Sequence, residues 1–124
     1  MDVRLIAIVA IGGALGAVLR YIIPFLISSN PMPFNTLSIN LLGSLLIGVL
    51  FGALASGMAL SEEMVLLIGT GFLGAFTTMS TFAFEALQVT QENTNMGFAY
   101  ILATIFGSIF LAWLGYSAVI QIAS

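Results

Sequence analysis

The sequence contains no cysteine and no histidine, and its only basic residues are Arg4 and Arg20, with no lysine. Without cysteine there are no disulfides and no thiolate metal ligands. Without histidine, and with five acids in all, a zinc or other transition-metal centre has almost no donors. Two positive charges do not make a phosphate-binding surface, which excludes nucleic acid as a partner. No nucleophile-base pair and no nucleotide-binding loop is present, so the chain is not read as an enzyme. Charged residues make up 6% of the chain and hydrophobic ones 60%, with a mean hydropathy of +1.19, and this balance assigns an integral membrane protein. At 124 residues, one copy is too small to enclose a wide polar cavity. The N-terminal run does not read as a signal peptide: Asp2 precedes Arg4, the apolar stretch is long, and no small-residue cleavage site follows.

What is present centres on Gly69-Thr-Gly-Phe-Leu-Gly-Ala-Phe-Thr-Thr-Met-Ser-Thr-Phe82, inside an uncharged run from Met64 to Phe84. A helix built for lipid contact alone would be leucine, isoleucine and valine throughout. This one places glycine at Gly69, Gly71 and Gly74 and hydroxyls at Thr70, Thr77, Thr78, Ser80 and Thr81, which predicts a third helix broken near its middle. Freed carbonyls and hydroxyls are tolerated in hydrocarbon only where they face protein, an ion or a water-filled cavity, so Gly74 to Phe82 is marked as a site. The alternative is that the small residues pack helices and each hydroxyl bonds back to its own helix.

Four spans are expected in a single transmembrane domain: Arg4 to Ile27, Phe34 to Ala59, Glu62 to Val89 and Met96 to Ile122. In the first, Gly12 and Gly16 make a close-packing face and Arg20 lies one turn further along it. That arginine either snorkels to the interface or anchors a vestibule. The loop Ser28 to Pro33, with two prolines, separates the first two spans. On the second, Thr36, Asn40, Gly43 and Ser44 share a side, with Gly48 and Gly52 continuing as a contact face. Asn40 needs partners in an apolar helix, either as an interhelical bond or as a pore-facing donor.

Ser61 is a candidate N-cap, with Glu62 and Glu63 in the first turn of the third span. Thr77, Thr81 and Glu85 share a face only if the helix is regular beyond its glycines; Glu85 then caps a polar track or lies at the headgroups. Gln88 to Asn95 forms the last polar connection. On the fourth span Tyr100, Thr104 and Ser108 recur every fourth residue, Gly107 opens the same side, and Trp113 and Tyr116 suit a lipid interface.

An even number of spans puts both termini on one side, with Arg4 at that face and Arg20 nearer the other. The positive-inside rule has almost nothing to act on. Either orientation is thus open, and two inverted copies would form an antiparallel homodimer that doubles each polar stripe.

Three elements, Gly12-Gly-Ala-Leu-Gly-Ala-Val-Leu-Arg-Tyr21, Asn40-Leu-Leu-Gly-Ser44 and Gly71-Phe-Leu-Gly-Ala-Phe-Thr-Thr-Met-Ser-Thr-Phe82, with Glu85 beyond them, resemble the small prokaryotic fluoride channels of the Fluc or CrcB family. The resemblance covers essentially the whole chain, and its third element is the most specific. It implies an all-α dual-topology homodimer in the inner or plasma membrane of a prokaryote, with two fluoride pathways at the interface. It also implies a central structural sodium ion held by the backbone carbonyls of Gly74 and Thr77 from both subunits. Asn40 would line the pore, and Ser80, Thr81 and Phe82 would lie along the pathway with Tyr100, Thr104 and Ser108. Arg20 and Glu85 match charged positions of vestibule or structural kind. Met79 departs from the family pattern, which has phenylalanine there; methionine offers bulk and polarisability but no electropositive ring edge for an anion.

The residue chemistry agrees with passive fluoride export. A small, strongly hydrated anion in a narrow pore needs oriented donors without a fixed charge that would trap it. Two other readings are a small dual-topology multidrug exporter and a noncatalytic membrane assembly protein. The exporter would be expected to carry an acid within its first span, where this chain has Arg20.

Overall fold

The computed structural model describes residues 1–27 and 33–124, so the predicted connection Ser28 to Pro33 lies outside the described residues except for Pro33. Helix α1 (Val3–Ile27) and α2 (Phe34–Ala55) are single elements. The third span is assembled from α3 (Glu62–Val65), a π-helical segment (Leu66–Leu73), α4 (Gly74–Phe76) and α5 (Met79–Glu92), and α6 (Thr94–Ala123) completes the chain. Four helical spans, Val3–Ile27, Phe34–Ala55, Glu62–Glu92 and Thr94–Ala123, are long and apolar enough to cross a membrane. Even the shortest, with 22 residues, extends about 33 Å at the helical rise, enough for a hydrocarbon core of about 30 Å.

Local chemistry sets the ends. α2 stops at Ala55 instead of running to Ala59, because Gly57 adopts φ 83, a left-handed conformation that glycine takes at little cost. Ser61 caps α3 by accepting from the Met64 amide at 3.2 Å, and Glu63 reaches Arg4 at 2.9 Å. The expected connection from Gln88 to Asn95 is mostly helix: α5 continues to Glu92, and Asn93 alone turns the chain while accepting from the Met96 amide at 3.1 Å.

Glycines bring the spans together in two separate seams. In the first, α1 lies against the π segment, and a Cβ on Gly12 or Gly16 would run into the carbonyl oxygens of Leu67 or Phe72. From the other side, a Cβ on Gly71 would lie 2.8 Å from the Val9 carbonyl. In the second, α2 packs along α6, where Gly48 meets the Ala112 carbonyl, Gly52 meets Tyr116, and Gly115 meets Leu45 and Val49. Both predicted contact faces therefore form backbone-to-backbone packing, the arrangement that stabilises helix association where lipid removes the hydrophobic drive.

The third span does not break at its first two glycines. There the helix widens instead: the Gly74 amide bonds the Gly69 carbonyl, five residues back, as in a π turn. The chain leaves the helical path at Thr77 (φ −80, ψ 158) and Thr78 (φ −149, ψ 115). Thr77 thus lies at the interruption and Thr81 and Glu85 after it, so the three do not share one regular helical face.

The first seam yields a paired test. Gly16→Leu should destabilise the protein by about 2 kcal/mol or more through overpacking, whereas Gly13→Ala, whose added methyl would have nothing nearer than 3.8 Å, should be tolerated. Thermal midpoints of the detergent-solubilised variants check the contrast; equal midpoints would remove the first seam from the packing argument.

Candidate functional site

Interrupting a helix at Thr77 and Thr78 frees backbone groups that lipid cannot satisfy. In a continuous helix the amides of residues 78, 79, 80 and 81 would donate to the carbonyls of residues 74, 75, 76 and 77. Here the Thr78 amide donates to Asn40 Oδ1 at 2.8 Å, and Asn40 Nδ2 donates to the Thr78 carbonyl at 3.1 Å. An amide N–H must meet an oxygen, so this pair fixes which end of the Asn40 side chain is which. One hydrogen of Nδ2 is used on Thr78, leaving the second for another acceptor.

Two more contacts extend the repair. Arg20 Nε donates to the Ala75 carbonyl at 3.0 Å, so the arginine on the glycine face of α1 serves the interruption rather than only reaching for the interface. The Thr81 amide turns to Thr78 Oγ1 at 3.2 Å, which makes Thr78 the N-cap of α5. The Gly74, Phe76 and Thr77 carbonyls have lost their helical donors and accept no other hydrogen bond among the described residues. Neutral backbone oxygens of this kind suit a hard alkali cation, so Gly74 and Thr77, two of these three residues, fit chemically the sodium position that the family resemblance implies.

Beside the interruption lies a partly open cavity of about 450 Å³. Asn40, Gly43 and Ser44 line it from α2, Gly74, Thr77 and Thr78 from the interruption, Met79 and Phe82 from α5, and Thr104 and Ser108 from α6. None of its described lining side chains is charged. Thr104 is buried, and its Oγ1 has no hydrogen-bond partner among the described residues. An unpaired buried hydroxyl costs free energy, which makes it a group suited to an incoming acceptor.

The remaining site residues lie around this cavity. Thr78 Oγ1 donates to Thr81 Oγ1 at 3.1 Å and lies 3.4 Å from Ser80 Oγ. Met79 is 74% exposed on the single chain, whereas Phe82 is buried with its ring 5.2 Å from that of Tyr100. Glu85 is only 6% exposed, so its carboxylate is packed among the helices. It accepts from Thr36 Oγ1 at 2.9 Å and from the Tyr100 hydroxyl at 3.1 Å. The structure therefore brings Asn40, Gly74, Thr77, Met79, Phe82, Thr104 and Ser108 to one cavity and groups Tyr100 with Glu85. Sequence reasoning counted the Thr78 hydroxyl but did not single it out. The available signal was a threonine at the end of the glycine-rich stretch with Thr81 three residues on, the N-cap spacing.

The family described as "CrcB-like protein, Camphor Resistance (CrcB)" matches residues 7–116. The chain belongs to the CrcB family. Among its relatives, a "Fluoride-specific ion channel FluC" of Pseudoalteromonas translucida is 41% identical, over 91% of this chain and 98% of that protein. One of the same description from Thermotoga maritima is 40% identical, over 86% and 87% of the two chains. A "Fluoride-specific ion channel FluC 1" of Geobacillus kaustophilus is 45% identical, over 87% and 91%. All three matches take in most of the four-span unit, so the CrcB assignment rests on the whole fold and not on a local motif.

The Asn40 pairing gives a structural prediction for this CrcB protein. Asn40→Leu keeps the size but leaves the Thr78 amide and carbonyl without partners, which should cost about 2 kcal/mol. Thr78 amide exchange should accelerate in the variant, as read by hydrogen-deuterium exchange. Unchanged protection would show that the pair does not hold the interruption.

Proposed function

We propose that this chain is a fluoride-selective channel of the cell membrane that lets fluoride leave the cell passively, acting as an antiparallel, dual-topology homodimer. The observation that carries the reading is the buried, unpartnered Thr104 hydroxyl in an uncharged cavity that also holds the Asn40 amide and Ser108. Its support is the CrcB membership together with what the relatives are named for.

The chemistry follows from fluoride's hydration. Donors along a narrow path replace the lost water, and their neutrality lets the ion leave again. The second Nδ2 hydrogen of Asn40 and the hydroxyls of Thr104 and Ser108 supply such donors, with Ser80 and Thr81 extending the track beside Thr78. Phe82 offers a ring edge, while Met79 supplies bulk where a second ring would otherwise stand. Tyr100 lines this end of the path through its contact with Phe82 and fixes Glu85, whose carboxylate is occupied by two donors. Arg20, tied to Ala75, keeps the approach positive without entering the cavity lining.

Gly74 and Thr77 from two inverted copies would hold a structural sodium ion, which would add a fixed positive charge near the anion path and offset the freed carbonyls. The dimer reading draws on the small size and balanced arginines, and on the exposure of Gly74 and Met79 on the single chain. It also places lipid against the outer apolar faces, where Trp113 and Phe110 are exposed.

Flux tests the proposal directly. Protein reconstituted into liposomes should release fluoride rapidly under an outward gradient when a potassium ionophore compensates charge, with little chloride movement and no requirement for a proton gradient. Thr104→Val should lower fluoride flux about tenfold, the loss of one donor worth roughly 1 kcal/mol or slightly more. Met79→Phe in the same assay should raise flux or sharpen anion discrimination if the ring edge counts. No fluoride release from a well-folded protein would overturn the channel reading.

Orientation is a separate test. Labelling of an engineered cysteine at the C-terminus of a cysteine-free chain should report both sides of the membrane in whole cells, and mass measurement of the purified protein should report a dimer. A single orientation in every copy would overturn dual topology.

A further inference from the structure

We propose that Thr78 is a positioning residue for the conduction pathway, acting through its hydroxyl to keep the Thr81 proton available to the passing anion. The inference rests on the fluoride-channel reading and deepens it. Thr78 is held at the interruption by its backbone, whose amide and carbonyl are both taken by Asn40. Its backbone is thereby set in one place, and the residue lines the cavity. There Oγ1 accepts from the Thr81 amide at 3.2 Å and donates its only proton to Thr81 Oγ1 at 3.1 Å.

Hydroxyl proton arithmetic gives the consequence. A threonine hydroxyl has one proton and two acceptor positions. Thr81 Oγ1 receives the Thr78 proton, so its own proton is directed elsewhere and remains free to donate. Ser80 Oγ, 3.4 Å from Thr78 Oγ1, is in a different position: the Thr78 proton is already committed, so Ser80 can interact there only as the donor. One hydroxyl of the adjacent pair is thus held ready as a donor to an anion, while the other is drawn weakly toward Thr78. Thr81 is the stronger anion partner for this reason, and Thr78 decides it without touching the ion itself.

A cap role alone makes a different prediction, and a double-mutant cycle separates the two. Thr81→Val removes the side-chain acceptor but keeps the backbone amide that Thr78 caps. Thr78→Val should lower fluoride flux about tenfold in the wild-type background and hardly at all in the Thr81→Val background. Thr78→Ser, which both caps and donates, should recover flux to within about twofold of wild type, while thermal midpoint and dimer mass report folding in every variant. A Thr78→Val loss of the same size in both backgrounds would overturn the proposal in favour of capping. Normal flux in Thr78→Val would also overturn it, and the channel reading would survive because the wild-type protein conducts. Absence of fluoride flux from folded wild-type dimers would overturn both.

Discussion

The paired hydrogen bonds between Asn40 and the Thr78 backbone are the interaction on which the interrupted span depends. A helix broken inside hydrocarbon leaves donors and acceptors that each cost several kcal/mol if nothing meets them. Asparagine can answer an amide and a carbonyl of the same residue at once, because it carries an acceptor and a donor on one planar group. The pair also joins α2 to the interruption at a fixed register. Thr36 on the preceding turn of α2 meets Glu85, and Gly43 on the following turn makes room for the Thr77 methyl. One face of α2 therefore contacts the third span before, at and after its interruption.

That register depends in turn on close packing elsewhere. Gly12, Gly16 and Gly71 let α1 settle against the π segment, which brings Arg20 within reach of the Ala75 carbonyl. Gly48, Gly52 and Gly115 do the same for α2 and α6, bringing Thr104 and Ser108 to the cavity that Asn40 lines. Moving either seam outward by the width of a methyl group would separate donors from acceptors set about 3 Å apart, a distance at which hydrogen bonds tolerate little extension. Small residues in the packing faces and polar residues at the interruption are thus parts of one geometric requirement.

Much of this was legible in residue types and spacing. The four spans followed from hydropathy, the two glycine faces from a repeat of four, and the polar side of α2 from Thr36, Asn40 and Gly43. What spacing does not carry is where a strained helix yields. The glycines and hydroxyls placed the break only near the middle of the span: at Gly69 and Gly71 a π turn absorbs the disturbance because the backbone remains hydrogen-bonded five residues back, and Thr77 and Thr78, inside the marked stretch Gly74 to Phe82, take the extended conformation. Spacing left Glu85 open between capping a polar track and lying at the headgroups because its partners, Thr36 and Tyr100, come from two other helices. Thr78 was overlooked for a similar reason: its importance lies in a backbone pair with a residue far away in the chain.

The partition of carbonyls at the interruption links this local geometry to ion chemistry. Of those that lose their helical donors, the Ala75 carbonyl is answered by a fixed cation of the chain, the Arg20 guanidinium. The carbonyls of Gly74, Phe76 and Thr77 have no such answer among the described residues. A second arginine or lysine could have satisfied them, but a mobile cationic side chain beside a dry anion path would bind the anion strongly enough to hold it. In the proposed channel, backbone oxygens left for an alkali ion would place the compensating charge at a point, with its field spread over both sides and no side chain able to swing into the path. Only one charge of each sign, Arg20 and Glu85, is needed around the site, and both are anchored by hydrogen bonds rather than directed into the cavity lining. In the proposed channel, the scarcity of charge in the sequence is therefore a condition of letting a hydrated anion enter on neutral donors and still leave.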